Sequence, residues 1–190
     1  MVLRIYENDS NNMDSDVPEL EDSAQQFDSK ITSINSTKLP TLFKLVKFKP
    51  NTVNLDFGGG KFDNVTEYLK EQNVTNLVYD KFNRSASHNN EVLSQIKSTG
   101  GADTVTCSNV LNVIAEPEVR LTVIKNCAKL LKSGGTCYFT VYEGNGSEEG
   151  RSNKTRQSHQ TNMKTASYIP ELEQVFSSVI KKGKLLVCKK

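Results

Sequence analysis

Short apolar runs alternate with stretches of helical periodicity along most of the chain. Four runs rich in apolar and β-branched residues predict strands, at 52–57, 77–79, 102–108 and 136–142. The other segments repeat apolar residues every three to four positions and predict helices, at 63–72, 91–97, from Glu116 to the stop at Gly134-Gly135, and at 169–176. Two short runs around Lys182-Gly183 predict an antiparallel hairpin over 178–190.

This alternation predicts one α/β domain, a doubly wound and mostly parallel sheet with helices on both faces and an antiparallel C-terminal hairpin. In such sheets, ligands bind beyond the carboxyl ends of the strands. Here that edge follows Phe57, Tyr79, Cys107 and Tyr142.

The first 30 residues have a different composition, with eight acidic and two basic side chains. They carry few apolar residues, so we expect residues 1–30 to form a disordered acidic arm. The arm is interpreted as a solubilising tail, with occupation of the molecule's own basic face as the alternative. Residues 31–190 form the single predicted domain, whose N-terminal helix is predicted at 40–47 with Pro40 in its first turn.

The whole chain of 190 residues has no apolar stretch of the length that a membrane span needs and no apolar secretory leader. Its four cysteines are widely spaced in apolar segments, as expected of free thiols in a reducing cytoplasm, with no metal site. The Asn- and Lys-rich composition suits a bacterial or phage protein. Residues 151–190 contain nine basic and two acidic side chains, which would favour the approach of a polyanion such as a nucleic acid.

A glycine turn follows the first predicted strand, in the run Asp56-Phe57-Gly58-Gly59-Gly60. Bare backbone at a helix N-terminus lets a ligand approach closely. Asp80 ends the next strand, 20 residues after Gly60, where a carboxylate accepts hydrogen bonds from ribose hydroxyls. Asp63 occupies the position where a dinucleotide fingerprint needs Gly or Ala, so the pattern favours a nucleoside cofactor without a pyrophosphate.

These residues resemble the class I S-adenosylmethionine-dependent methyltransferases over about residues 50–190. The glycine turn is similar to their first motif, Asp80 to their ribose-binding acid, and residues 130–136 to their Leu-Lys-Pro-Gly-Gly element. The resemblance implies a Rossmann-like fold with S-adenosylmethionine as the cofactor. The proposed cofactor-binding residues are Asp56, Gly58, Gly59, Gly60, Asp80, Ser108, Asn109 and Val110. The last three would border the sulfonium and the acceptor pocket.

The chain also departs from that family. Only 22 residues separate Asp80 from Asp103, too few for the family's third strand and third helix, so we expect a shortened sheet edge. The Asp/Asn-Pro-Pro-Tyr/Phe run of the DNA amino-methyltransferases is missing at Ser108–Leu111, which argues against ordinary DNA methylation. Residues 109–114, with Pro117 and Arg120, are similar to a stretch of methyltransferases associated with DNA phosphorothioation.

The acceptor side is predicted from the segment that follows the fourth strand. Methyl transfer is an in-line displacement in which the protein positions the acceptor and, where needed, supplies a base. The candidate catalytic residues are Asn109, Tyr142 and Glu143, with Glu143 as base and Tyr142 as stacking wall. The candidate acceptor-binding residues are Arg151, Arg156, Gln160 and Asn162, on a polar loop predicted at 143–160 and just beyond it. His159 in that loop is interpreted as a surface residue.

The sequence therefore predicts a cytoplasmic S-adenosylmethionine-dependent methyltransferase that acts on a small molecule or a nucleic acid. If the acceptor is small, the loop should close the pocket. Two alternatives remain, a non-catalytic nucleoside-binding module and, less favoured, a nicotinamide-dependent oxidoreductase.

Overall fold

A computed structural model describes residues 17–32 and 38–190 of the chain. Within these residues there are five α-helices, α1 Thr41–Leu45, α2 Asn64–Lys70, α3 Ala86–Ser98, α4 Pro117–Lys129 and α5 Ile169–Leu172. The same residues contain eight strands, β1 Val53–Phe57, β2 Thr75–Tyr79, β3 Ala102–Ser108, β4 Leu131–Thr140, β5 Gly150–Asn153, β6 Ser158–Thr161, β7 Ser178–Lys182 and β8 Leu185–Lys189. Single 3₁₀ turns occur at Lys30–Thr32, Leu111–Val113 and Thr165–Tyr168. Within the described residues, no helix is long and apolar enough to cross a membrane.

The central sheet has six strands in the order β2-β1-β3-β4-β8-β7. The first four strands are parallel, and β7 and β8 form an antiparallel hairpin added next to β4. This confirms the predicted Rossmann-like sheet, its C-terminal hairpin and its shortened edge, because β2 is the last strand on its side. The helix α3 follows β2 directly and returns the chain to β3.

Side chains of α3 satisfy the edge of β2, where another strand would otherwise pair. His88 places Nε2 2.8 Å from the carbonyl oxygen of Val78. The amide of Asn89 donates to the carbonyl of Asp80 at 2.9 Å and accepts from the N–H of Asp80 at 3.1 Å. An exposed sheet edge would leave such backbone groups unpaired, so side chains of α3 supply hydrogen bonds that a neighbouring strand would otherwise form.

Most of the core lies between the sheet and α3, α4 and α5, and a second cluster lies under α1 and α2. All four cysteines are buried free thiols. Burial raises the pKa of the Cys137 and Cys188 thiols, as expected of inert, packed side chains. No group of three metal-ligating side chains occurs in the described part of the chain.

Several predicted boundaries differ from those observed. The helix α3 begins five residues before the predicted start, because Ser85 caps it by accepting from the N–H of His88 at 3.2 Å. The strand β4 begins at Leu131, paired with Ala102, ahead of an irregularity that accommodates Gly134-Gly135. The predicted loop at 143–160 contains β5 and most of β6, a separate two-stranded sheet.

Candidate functional site

The glycine turn after β1 has the geometry that the sequence predicts. Gly58 and Gly60 have φ angles of 77° and 76°, in the left-handed region that favours glycine. A Cβ on Gly58 would lie 2.5 Å from a methyl group of Val110, and a Cβ on Gly59 would lie 2.6 Å from Oδ2 of Asp56. The turn is therefore packed closely against β1 below it and against the loop after β3.

Asp80 connects this turn to the loop after β2. Its Oδ2 accepts the N–H of Gly60 at 2.8 Å, and its Oδ1 accepts the N–H groups of Phe82 and Asn83 at 2.9 and 2.8 Å. Arg84 also binds the turn, because its Nε donates to the carbonyl oxygen of Gly60 at 2.8 Å. The carboxylate is buried and fixed at the edge of the cavity that the predicted ribose would enter.

Asp56 lies beneath the turn and does not line the cavity. It is fully buried and accepts from the hydroxyl of Thr106 at 3.1 Å. Burial, together with the charge of Asp80, raises the pKa of Asp56 to about 7. Its contacts therefore indicate that Asp56 supports the turn.

A cavity of about 830 Å³ opens at the carboxyl ends of β1, β2 and β3. The stacked rings of Phe57 and Tyr79, 4.9 Å apart, form part of its wall. The predicted site residues that line it are Gly58, Asp80, Ser108, Asn109, Val110, Tyr142, Arg156 and Gln160. Asn109 has a φ of 57°, and its N–H donates to the carbonyl of Thr140 at 2.8 Å.

Six other predicted site residues do not line this cavity, namely Asp56, Gly59, Gly60, Glu143, Arg151 and Asn162. Glu143 accepts the N–H and the hydroxyl of Thr165, both at 2.7 Å. Those bonds lower the pKa of Glu143, so its carboxylate is a weaker base than an ordinary Glu. Arg151 is exposed on β5, and Asn162 is buried against Gly144.

Residues 17–32, here called the strap, form the opposite wall of the cavity. The sequence predicts disorder for residues 1–30; the described part of this segment, from residue 17, is extended up to the 3₁₀ turn at Lys30–Thr32, and residues 1–16 lie outside the described residues. Phe27 and Ser29 of the strap are each about 5% exposed. Its buried contacts offset the conformational entropy that is lost when the segment is ordered, which its composition alone would not do.

The C-terminal half of the strap docks on the hairpin of β5 and β6. Phe27 stacks on His159 with ring centroids 6.4 Å apart. The N–H of Ser29 donates to the carbonyl of Gln157 at 2.9 Å, and its hydroxyl donates to the carbonyl of Val113 at 3.2 Å. His159 is thus buried, which corrects its interpretation as a surface residue; its polar neighbours Ser152 and Thr161 satisfy its ring nitrogens at 2.8 Å each.

Asn112, which no sequence pattern singles out as a site residue, connects three parts of the cavity wall. Its amide donates to Oε1 of Gln160 at 3.0 Å, and its Oδ1 accepts the N–H of Tyr142 at 3.3 Å. Gln160 in turn donates to the carbonyl of Tyr142 at 3.1 Å. A lone Asn in an apolar run carries no sequence signal for this role, because its partners lie 30 and 48 positions away.

A glycine turn and an acidic residue after two adjacent parallel strands are typical of α/β proteins that bind a nucleoside cofactor. Residues 27–177 match the family model described as a methyltransferase domain. The chain therefore belongs to this methyltransferase family, and the prediction of an S-adenosylmethionine-dependent methyltransferase is confirmed at that level. Neither alternative, the binding module or the oxidoreductase, is favoured by this membership.

Solved structures show the same fold. A Burkholderia thailandensis 1,6-didemethyltoxoflavin-N1-methyltransferase, crystallised with 1,6-didemethyltoxoflavin and S-adenosylhomocysteine, is 18% identical with a TM-score of 0.55, over 74% of this chain and 70% of that one. A Haloferax volcanii methyltransferase in complex with the Trm112 activator is 13% identical with a TM-score of 0.51, over 74% of this chain and 68% of that one. None of the curated proteins matches the sequence.

Proposed function

We propose that the protein transfers the methyl group of S-adenosylmethionine to a small molecule held inside the cavity. The observation that carries this proposal is the position of the strap. It lines the cavity of about 830 Å³ opposite the sheet edge, while Arg156 and Gln160 line it from the hairpin of β5 and β6. An acceptor between these walls is enclosed on both sides, as expected for a small-molecule site.

The residues at the glycine turn fit the cofactor. Gly58 lines the cavity with bare backbone, against which the methionine portion would lie. Asp80 is held by the turn and by the loop after β2 at the place for the ribose. Ser108, Asn109 and Val110 lie between these groups and the acceptor end.

The chemistry on the acceptor side is mainly positioning. When bound, the cofactor supplies an electrophilic methyl group, and the protein aligns a nucleophile with it and excludes water. Tyr142 is 62% exposed at the cavity mouth and offers a ring for stacking, and Gln160 is fixed by Asn112. Arg156 lines the mouth and suits an acceptor with an anionic group. Proton removal is not assigned to Glu143, because its side chain does not line the cavity and its Oε1 is bonded to Thr165.

A nucleic-acid acceptor was the other candidate, based on the basic residues of 151–190. Arg151 and Lys154 are exposed on the hairpin but do not line the cavity. The strap, with four acidic side chains and one basic, lines the cavity and would repel a polyanion. The geometry therefore favours the small acceptor. Four buried free thiols suit a protein of the reducing cytoplasm, and the Asn- and Lys-rich composition suits a bacterial or phage source.

The test follows methyl-labelled S-adenosylmethionine into fractions of a bacterial extract. We expect labelled product in the fraction of small molecules, and little in DNA or RNA. Asn109→Ala should reduce that transfer, while Arg151→Ala, outside the cavity, should leave it unchanged. Label in nucleic acid would reject the small acceptor, and cofactor binding without transfer to any fraction would favour the binding module.

A further inference from the structure

The C-terminal half of the strap brings a carboxylate to the acceptor end of the cavity. Asp28 lines the cavity, and its side chain is 38% exposed. The residue before it, Phe27, is buried and stacks on His159. The residue after it, Ser29, donates its N–H to the carbonyl of Gln157 at 2.9 Å. Both neighbours are anchored on the hairpin of β5 and β6, so Asp28 is held at the end of the cavity that this hairpin lines.

The backbone next to this carboxylate has a conformation that favours glycine. Ser29 has a φ of 52°, in the left-handed region, which is strained for a residue with a Cβ. Its hydroxyl donates to the carbonyl of Val113 at 3.2 Å, and its carbonyl accepts the N–H of Thr32 at 2.9 Å. Asp28 and Ile31, on either side of this turn, both line the cavity. Backbone strain of this kind is common at functional sites, and here it sets the position of the carboxylate on the cavity wall.

Three other carboxylates line the cavity among the described residues, but each has partners away from the acceptor end. Asp80 accepts the backbone N–H groups of the glycine turn and of the loop after β2. Asp22 forms an ion pair with Lys81, the next residue of that loop. Oε2 of Glu21 lies 3.7 Å from Nζ of Lys125 on α4. Within the described structure, the acceptor end therefore has one carboxylate, that of the strap turn.

The contacts of Asp28 leave part of its carboxylate available to a ligand. Its Oδ1 accepts the N–H of Lys30 at 3.0 Å. Its Oδ2 lies 3.8 Å from Nζ of Lys30, and 55% of that lysine side chain is exposed, so this ion pair is weak. A carboxylate oxygen has more than one lone pair, so Oδ2 can accept a proton from a molecule in the cavity.

We propose that Asp28 is the general base of the methyl transfer. This inference rests on the proposed function, and it gives the strap the role that is not assigned to Glu143. The acceptor atom forms a bond to the methyl carbon with its lone pair, and the bond from that carbon to sulfur breaks with both electrons left on sulfur. The proton of the acceptor atom passes to Oδ2 of Asp28 and is then released to solvent at the cavity mouth. The acceptor is therefore a small molecule whose reacting atom carries a proton, in an O–H or N–H group.

The experiment compares two amide substitutions on the strap. Asp28→Asn keeps an oxygen for the N–H of Lys30 but removes the base. Glu19→Gln is the control, because Glu19 is an exposed strap residue that does not line the cavity. Full-length protein, methyl-labelled S-adenosylmethionine and the small-molecule fraction of a bacterial extract are mixed, and the initial rate of label transfer is measured. We expect Asp28→Asn to lower this rate by about a hundredfold or more, and Glu19→Gln to change it by less than about twofold.

Two further measurements distinguish a base from a structural residue. In Asp28→Asn, calorimetric binding of S-adenosylhomocysteine and hydrogen exchange of residues 17–32 should each change by less than about twofold, because the strap turn and the cofactor end are unaltered. Asp28→Ala leaves space in which added formate can supply a carboxylate. Formate should therefore raise the rate of Asp28→Ala by about tenfold, with the same labelled product as the unaltered protein, and should not raise that of Asp28→Asn.

The outcomes separate this inference from the proposed function. Equal rates of transfer by Asp28→Asn and the unaltered protein would overturn the assignment of the base and leave the proposed function standing. A low rate that accompanies lost protection of the strap, and that formate does not restore in Asp28→Ala, would make Asp28 a structural residue and would also overturn it. If the unaltered protein labels no small molecule, the proposed function fails, and the assignment of the base fails with it.

Discussion

The glycine turn and the strap line the same cavity, but different interactions hold them. The turn is fixed by short-range backbone geometry, with φ angles near 76° and almost no space beside Gly58 and Gly59. The strap has no regular helix or strand before its last 3₁₀ turn, and side chains from distant parts of the chain hold it. We therefore expect the turn to be rigid and the strap to be able to detach, as suits a cavity that must admit and then enclose its ligands.

We expect the largest effect on stability from a substitution of Asp56, which lies beneath the glycine turn. Its carboxyl has a usual pKa of 3.8 and a folded pKa of about 7. The neutral carboxyl of Asp56 makes its full contribution to stability at pH values below its pKa in the unfolded chain. This contribution is lost as the pH rises through 7, the pKa in the folded protein. Asp56→Asn keeps the acceptor for Thr106 and cannot ionise, so it should be more stable than the original protein at pH 8, by on the order of 4 kcal/mol.

Urea unfolding of both proteins at pH 4 and pH 8 measures this difference. The advantage of Asp56→Asn should shrink toward pH 4, because both side chains are then neutral. A gap that stays constant with pH would show that ionisation of Asp56 is not its cause.

The second prediction concerns the space beside the turn. Gly59→Ala would place a Cβ 2.6 Å from Oδ2 of Asp56 and 2.8 Å from a methyl group of Val78, both buried. Since neither neighbour can move freely, we expect a loss of about 3 kcal/mol in the free energy of unfolding. Gly134→Ala is the matched control, because Gly134 has a φ of 75° but no atom within 4 Å of its Cβ position. It should lose only the cost of backbone strain, about 1 kcal/mol. Equal losses in the two variants would mean that crowding at the turn is unimportant.

The same contrast explains which parts of the site can be predicted from the sequence. The glycine turn at 58–60 and Asp80 can be predicted, because a tight turn and a carboxylate at fixed spacing are local patterns. The strap is predicted as disordered because its buried contacts, such as Glu21 with Asn126, join residues 105 positions apart. Glu143 is selected for its position after a strand, but its partner Thr165 lies 22 positions on, and only the fold brings them together. Asn112 is missed for the same reason.

The third prediction is that the strap detaches without unfolding the domain. Phe27→Ala removes the buried ring that stacks on His159. The free energy of strap opening should therefore fall by about 2 kcal/mol, which makes the open state about thirtyfold more populated. Hydrogen exchange of residues 17–32 measures this opening. Ile31→Ala, on a strap residue that is 56% exposed, is the control and should change little. If β1 and β3 lose protection together with the strap, the two regions form one cooperative unit and the comparison fails.

The smallest effect is a pH dependence of strap docking through His159. Burial lowers the pKa of His159, while Glu116 and Arg120 act on it in opposite directions. A histidine with a lowered folded pKa takes up its proton more readily when released, so docking should weaken as the pH falls from 7 to 5. We expect a change of less than about tenfold in the opening of residues 17–32. His159→Gln should remove this dependence, whereas His88→Gln, on α3, should retain it. If His159→Gln shows the same pH profile as the original protein, other groups control the strap, and the carboxylate of Glu116, which accepts the N–H of Gln26 at 3.1 Å, is the next to substitute.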